Sequence, residues 1–387
     1  MGVARTRVAL MGATGSIGQQ TIDVLRCEPD RFDLVALSAG RRVDELAALV
    51  NEFGVRRVGV NEDGDRRRLA ALVAHDVDIV VGETGLRDLC ADVDVVVNAV
   101  MGFAGLPVTL ATLEAGARLA LANKESLIAA APVVAYARVT PGAQILPVDS
   151  EHCAIHQCLA GSSEVGHPDV ARLLLTASGG PFRGWSRDQL AHATREDALA
   201  HPTWSMGPKI TIDSSTLMNK GLEVLEASAL FGIEVDRIDV VVHPQSIVHS
   251  MVEYVDGSVL AQLSRPDMRL PIAYCLGAPE RLAHHWGRLD FTTTLRLDFE
   301  PPDREAFPAL DLAYAAARRG GAAPAWLSAA NEVCVDAFLE ERIRWSDIVE
   351  LVSRTMDHYV DDPLVDLDAV VQNDAMARRI TRANLPQ

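Results

Sequence analysis

The chain has 387 residues, 49% hydrophobic and 23% charged, the ordinary composition of a soluble globular enzyme and too long for one core, so two or three domains are expected. Its formal net charge of −17 argues against a nucleic-acid backbone or an anionic membrane as partner, and an anionic substrate must be met by a local cluster of cations. No apolar run reaches the roughly 18 residues of a membrane span, and six scattered cysteines without a CxxC pair suit a reducing, cytoplasmic setting.

Residues 7–11 read as a buried strand, followed by the glycine-rich turn GATGSIG (12–18) and a helix to about Arg26. A strand, a GxxGxxG turn and a helix N-terminus together form a phosphate site, because backbone N–H groups approach a pyrophosphate without Cβ interference. A bare βα turn is the alternative, ranked lower because further strand–helix units follow. Residues 32–37, 57–60, 77–81, 93–97, 118–122 and 144–148 read as strands, with helical spacing at 43–53 and 106–115. This alternation predicts an α/β first domain over residues 1–150, a Rossmann-like doubly wound sheet. After the second strand, where an NAD site usually places an acid, the chain has Gly40-Arg41-Arg42. Two guanidinium groups suit a 2′-phosphate, so NADPH is the expected cofactor; a solvated basic turn is the alternative. Asn123-Lys124-Glu125-Ser126 follows another strand end, where Lys124 is placed either to meet substrate or cofactor or to lie solvated at a helix N-terminus.

Residues 146–152 (LPVDSEH) end an apolar run in two carboxylates, Asp149 and Glu151, around Ser150. Hard oxygen ligands at a buried strand end suit Mg²⁺ or Mn²⁺; the alternative is a helix cap. A second domain is expected over 151–276. A strand at 172–176 runs into Ser178-Gly179-Gly180, a candidate anion nest. The proline-bracketed stretch 201–208, with His201, Trp204 and Gly207, is a candidate lid over a reaction site, or a loop whose Trp plugs the core. A helix is expected to start near Ser215 or Thr216, with Ser214 at its entry. Asn219, Lys220 and Glu223 then share one face, offering a phosphate site beside a third carboxylate, or simply a solvated Lys–Glu pair. Further strands at 240–242, 247–254 and 258–263 complete an α+β domain, with Asp256-Gly257 as a hairpin turn. His152 and His156 stand i, i+4, but without the HExxH order both read as structural. Residues 277–303 read as a linker and 304–387 as a C-terminal helical bundle, with helical patterns at 310–318, 329–340 and 345–358. Asn331-Glu332 has no partner visible in sequence, and no chemistry is assigned to this domain.

GATGSIG (12–18), NKESL (123–127), LPVDSEH (146–152), LTASGGPF (175–182), HPTWSMG (201–207), MNKGLE (218–223) and HPQSIVHSMV (243–252) resemble, in order and spacing, the 1-deoxy-D-xylulose 5-phosphate reductoisomerase family of the non-mevalonate isoprenoid pathway. The resemblance covers nearly the whole chain. It implies that Asp149, Glu151 and Glu223 bind the divalent metal and that Ser178, Ser214, Asn219 and Lys220 hold the substrate phosphate. It further implies that Lys124 and Ser150 contact the carbohydrate, and that His201 and Trp204 belong to a closing lid. Thr14, Gly15, Ser16, Ile17, Gly40, Arg41, Arg42, Asn123, Glu125 and Gly207 fall on the family's NADPH positions. One departure is that several relatives carry Lys-Asn where this chain has Arg41-Arg42. Glu151, which with Glu223 also faces substrate, and Lys124 are the candidates for proton handling, with His201 beside them. The implied reaction is a metal-assisted rearrangement of 1-deoxy-D-xylulose 5-phosphate to a branched aldehyde, then reduction by NADPH to 2-C-methyl-D-erythritol 4-phosphate. A homodimer joined through the sheet at 240–263 is implied as well. The rivals are an ordinary NADP-dependent dehydrogenase, which would survive chelation, and a nucleotide-sensing regulator without turnover.

Overall fold

The structure, a computed structural model, describes residues 4–159, 167–283 and 285–386. The chain divides into two compact units. The first comprises Met1–Ser126, Val134–Ser150 and Asp267–Trp286, and the second Leu127–Val133, Glu151–Pro266 and Gly287–Gln387.

The first unit is built on short strands buried on both faces, the pattern that demands helices on each side of a parallel sheet. Seven strands, β1 (Thr6–Met11), β2 (Phe32–Ser38), β3 (Arg57–Val60), β4 (Asp78–Val81), β5 (Val95–Asn98), β6 (Arg118–Leu121) and β7 (Gln144–Pro147), lie in the order β4-β3-β2-β1-β5-β6-β7. Every pairing is parallel. The winding reverses between β1 and β5, so the crevice beyond their carboxyl ends is the place for a ligand. The helix Ser16–Cys27 buries Gly18, Thr21, Ile22 and Leu25, one face at helical spacing. Val43–Phe53 does the same with Val43, Leu46, Ala47 and Val50, and stops at Gly54, whose φ of +66° glycine adopts without the Cβ penalty.

Residues 267–276 correct an expected boundary. The sequence pattern assigns them to the second domain, but the helix Arg269–Gly277 packs on Ser16–Cys27, and its Ile272, Ala273, Cys275 and Leu276 join the core of the first sheet. The first ten residues of the expected linker, 277–286, stay with that unit too. An apolar helix face shows that a helix is buried, not against which partner.

The second unit holds a mixed sheet of β8 (Val170–Ala177), β9 (Ile238–Val242), β10 (Val248–Tyr254) and β11 (Val259–Leu263) in the order β11-β10-β8-β9. β10 pairs antiparallel with β8 and β11, and β8 pairs parallel with β9. Gly257, at φ +85°, turns the β10–β11 hairpin. The C-terminal helices Ala309–Arg319, Ala323–Leu339, Trp345–Met356 and Leu367–Asn384 pack on one another, and contacts do not set them apart from the rest of this unit. Ala309–Arg319 lies against Met218–Phe231, where Gly221 permits the approach: a Cβ there would stand 2.7 Å from that of Ala313. This α/β, α+β and helical composition is the expected fold class.

Candidate active site

In the first unit the glycine turn doubles back on itself. A Cβ on Gly12 would lie 2.4 Å from the Ala99 carbonyl oxygen, and one on Gly18 would lie 2.3 Å from that of Gly12. Only glycine allows this packing, which sets Thr14, Gly15, Ser16 and Ile17 around the N-terminus of Ser16–Cys27. Gly15 is its N-cap, with no side-chain cap and no acid in the first turn, a terminus suited to an anion. Gly40 and Arg41 follow β2, and the Arg42 guanidinium reaches from there to the Thr14 carbonyl and to Glu45 at 3.3 Å. Both arginine side chains are exposed at the mouth of this turn.

Asn123 is buried, and its amide is consumed locally. Nδ2 donates to the carbonyls of Val100 (2.8 Å) and Gly102 (2.7 Å), while Oδ1 accepts from the Ser126 amide (3.0 Å) and hydroxyl. Any contact it makes with a cofactor is therefore through its main chain. Glu125 is buried beside it. Lys124 is buried rather than solvated, with Nζ 2.7 Å from Asp149 Oδ2, so the solvated alternative falls. Ser150 closes the segment Val134–Ser150 of this unit and opens the helix Ser150–Cys158.

In the second unit the Lys220 ammonium stands between two carboxylates. It is 2.7 Å from Glu151 Oε1 and also meets Glu223 Oε2, while Asn219 Nδ2 donates to Glu223 Oε1 at 2.5 Å. Glu223 is 1% exposed and Lys220 3%, so the alternative of a solvated polar face falls as well. His152 fixes the arrangement. Its ring lies 3.0 Å from the Glu223 carbonyl and 3.4 Å from Glu226, tying the helix that carries Glu151 to the one that carries Glu223. That is a structural use, as expected; His156 is only half-buried.

The expected helix start near Ser215 is corrected. One helix runs Pro208–Ser215, Leu217 follows at φ +60°, and a second helix begins at Met218. Ser214 therefore lies in the last turn of the first helix, not at the entry of the second. A helix N-terminus cannot be what draws an anion to it. The sequence hid the break because apolar spacing continues through Leu217, a residue that rarely adopts a left-handed conformation. Ser214 instead adjoins the Ser178 loop: Gly179 and Gly180 both have positive φ, and a Cβ on Gly180 would lie 2.5 Å from the Ser214 carbonyl oxygen.

His201 Nδ1 accepts the backbone N–H of Thr203 (3.2 Å) and Trp204 (2.9 Å). The ring proton must then sit on Nε2, which donates to Ser178 Oγ at 3.0 Å. Burial pushes the His201 imidazole below its ordinary value and keeps it neutral. Ser178 Oγ also accepts from the Gly180 amide at 3.2 Å, which leaves its own proton to donate outward. Gly207 ends this loop as N-cap of Pro208–Ser215.

The sequence places the chain among known proteins. Residues 8–131 match the family 1-deoxy-D-xylulose 5-phosphate reductoisomerase, 145–231 its C-terminal domain, and 263–380 the DXP reductoisomerase C-terminal domain. The 1-deoxy-D-xylulose 5-phosphate reductoisomerase of Heliobacterium modesticaldum is 50% identical over 378 residues, covering 96% of each chain. That of a Synechococcus species is 48% identical over 394 residues, covering 97% of each. The chain belongs to the 1-deoxy-D-xylulose 5-phosphate reductoisomerase family. The solved reductoisomerase from Zymomonas mobilis in complex with NADPH superposes with a TM-score of 0.91 at 42% identity, covering 98% of this chain and 99% of that one. A reductoisomerase solved in complex with NADPH, fosmidomycin and magnesium also gives 0.91 at 42%, over 98% of each chain.

The donor set of this reductoisomerase chain fits a divalent cation. Glu151 and Glu223 already turn oxygens toward one positive centre, the Lys220 ammonium, and carboxylate oxygens are the hard donors that Mg²⁺ and Mn²⁺ take. One group went unsingled in the sequence. His249, in β10, is 5% exposed, lies edge-on to Trp204 at 6.1 Å between ring centroids, and has a buried Nε2 without a hydrogen-bond partner. It stands within HPQSIVHSMV, but strand alternation there signals only burial.

Burial pushes the His249 imidazole down from 6.5 to about 4. The unfolded chain therefore binds this proton more tightly than the folded one. Stability that is fully present above pH 6.5 falls as the pH drops toward about 4, by about 3 kcal/mol over that window. Urea unfolding at pH 7 and pH 5 should show a steeper loss for the wild type than for His249→Gln; parallel pH curves would remove His249 as the cause.

Proposed function

We propose that the protein converts 1-deoxy-D-xylulose 5-phosphate to 2-C-methyl-D-erythritol 4-phosphate with NADPH and a divalent metal, Mg²⁺ or Mn²⁺, in non-mevalonate isoprenoid precursor biosynthesis. The observation that carries the reading is half-buried Glu151 and buried Glu223 turned to one cation beside Asn219. Its support is the reductoisomerase relatives, 50% and 48% identical over 96% and 97% of the chain.

In this reading Asp149, two residues before Glu151, joins Glu151 and Glu223 as a metal ligand. When bound, the metal supplies Lewis-acid polarisation of the substrate ketone and hydroxyl oxygens, and NADPH supplies the hydride. Ser178, with its proton turned outward by neutral His201, donates to the substrate phosphate together with Ser214, Asn219 and Lys220. Lys220 also balances half-buried Glu151 and buried Glu223, so a metal taking up those carboxylates would free the ammonium for the phosphate. Lys124 and Ser150 orient the carbohydrate, and Glu151 and Lys124 move protons. The loop carrying His201 and Trp204 excludes water; remote binding of the phosphate drives its closure. The first unit takes NADPH through Thr14, Gly15, Ser16, Ile17, Gly40, Asn123 and Glu125, with Arg41 and Arg42 on the 2′-phosphate; Gly207 is the remaining position that the family resemblance assigns to the cofactor. The β8–β11 sheet with its exposed Val259 and Leu260 suits a homodimer. Among the described residues no helix is long and apolar enough to cross a membrane, in keeping with a cytoplasmic enzyme.

The test follows NADPH loss with this substrate, with and without chelator, and then with Mg²⁺ or Mn²⁺ restored. Turnover should stop and return. Consumption that ignores the chelator would make the protein an ordinary dehydrogenase, and tight NADPH binding without consumption would make it a regulator.

A further inference from the structure

The C-terminal helices, to which the sequence assigns no chemistry, grip the chain on both sides of Ser214. Asp213 Oδ1 accepts from Asn331 Nδ2 of Ala323–Leu339 at 2.7 Å, and its other oxygen pairs with Lys209 at 2.9 Å. Ser215 Oγ accepts from the Trp345 indole N–H of Trp345–Met356 at 2.9 Å and donates its own O–H to the Ile212 carbonyl at 2.7 Å. Asp213, Ser215 and Asn331 are all buried, so water cannot replace these bonds.

The Trp345 ring also stands edge-on to Phe182, 5.2 Å between centroids at 84°. Phe182 is fully buried two residues after Gly180, the glycine that abuts the Ser214 carbonyl. One indole thus holds the Ser178 loop through its ring and the Ser214 turn through its N–H. The amide of Asn331 is turned so that Nδ2 faces the Asp213 carboxylate, since the opposite orientation would set two oxygens together. Its own Oδ1 is buried without a partner. An apolar residue of this volume would leave the buried Asp213 oxygen without its donor, so the bond to Asp213, not packing alone, accounts for an asparagine here.

We propose that Trp345 and Asn331 are positioning residues for the substrate phosphate, setting the separation of the Ser178 and Ser214 hydroxyls from the C-terminal helices. The proposal rests on the phosphate-binding role given to those serines above. Its consequence is that the helical region contributes to substrate affinity without touching substrate.

Trp345→Phe removes the N–H and keeps an aromatic ring; Asn331→Leu removes the amide and keeps its volume. Each should raise KM for 1-deoxy-D-xylulose 5-phosphate by about tenfold while leaving KM for NADPH unchanged. In the unliganded protein, each should also speed amide exchange over residues 211–217. The control is Trp326→Phe, which breaks an equivalent buried indole bond, to Asn373 at 2.8 Å in the same helices. It should lower melting temperature without moving substrate KM or exchange at 211–217. If the Trp345 and Asn331 variants match wild type in KM and exchange, or if Trp326→Phe moves both equally, the proposal is overturned. A wild type that does not consume NADPH with this substrate sinks the functional reading instead, and the exchange arm still decides the positioning.

Discussion

Glu223→Gln should lower turnover by about a thousandfold or more while the protein still folds and binds NADPH. The side chain is 1% exposed and accepts from Asn219 at 2.5 Å and from Lys220, so the amide keeps the shape but loses the charge and one of the two acceptors. A neutral oxygen is a poor ligand for a hard divalent ion. Lys220 retains Glu151 as its counter-charge, which limits the damage to the fold. NADPH consumption measured across a Mg²⁺ titration gives the readout, with circular dichroism and NADPH binding as controls. Activity within about tenfold of wild type at low metal would remove Glu223 from the ligand set.

Gly18→Ala should cost about 3 kcal/mol of stability and about a hundredfold in NADPH affinity. The added Cβ would stand 2.3 Å from the Gly12 carbonyl oxygen and 2.5 Å from that of Ala13. Both are main-chain atoms of the turn itself, so relief requires the whole turn to move. Gly15→Ala makes the informative contrast. Its Cβ would meet Gly12 O at 3.3 Å, and its φ of −71° suits any residue. That variant should melt near wild type yet bind NADPH weakly, because the methyl is added at the N-cap of the helix proposed to receive the cofactor's phosphates. Thermal melts with fluorescence titration separate the two effects. A Gly18→Ala protein that melts like wild type would show that the turn is not the tight packing described.

Much of the fold was readable from periodicity. Residues 43–53 and 57–60 form the helix Val43–Phe53 and β3 as expected, and the strand ends elsewhere move by one or two residues. The glycine turn was legible because strand, turn and helix are consecutive. Three points were not. The helix Arg269–Gly277 carries an apolar face that says nothing of its partner, and it joins the first sheet. The break at Leu217 has no glycine, asparagine or proline to announce it. Asn331 looked partnerless because Asp213 lies 118 residues away.

The sequence by itself determined the order of the elements, the glycine turn, and the sharing of one helical face by Asn219, Lys220 and Glu223, since a side chain's direction repeats with the period of its own helix or strand. Tertiary structure alone decided that Lys220 meets Glu151 across 69 residues, that Lys124 is buried against Asp149, and that Trp345 bridges two loops. Such pairings follow from which faces pack together, and burial then makes each charge find a counter-charge.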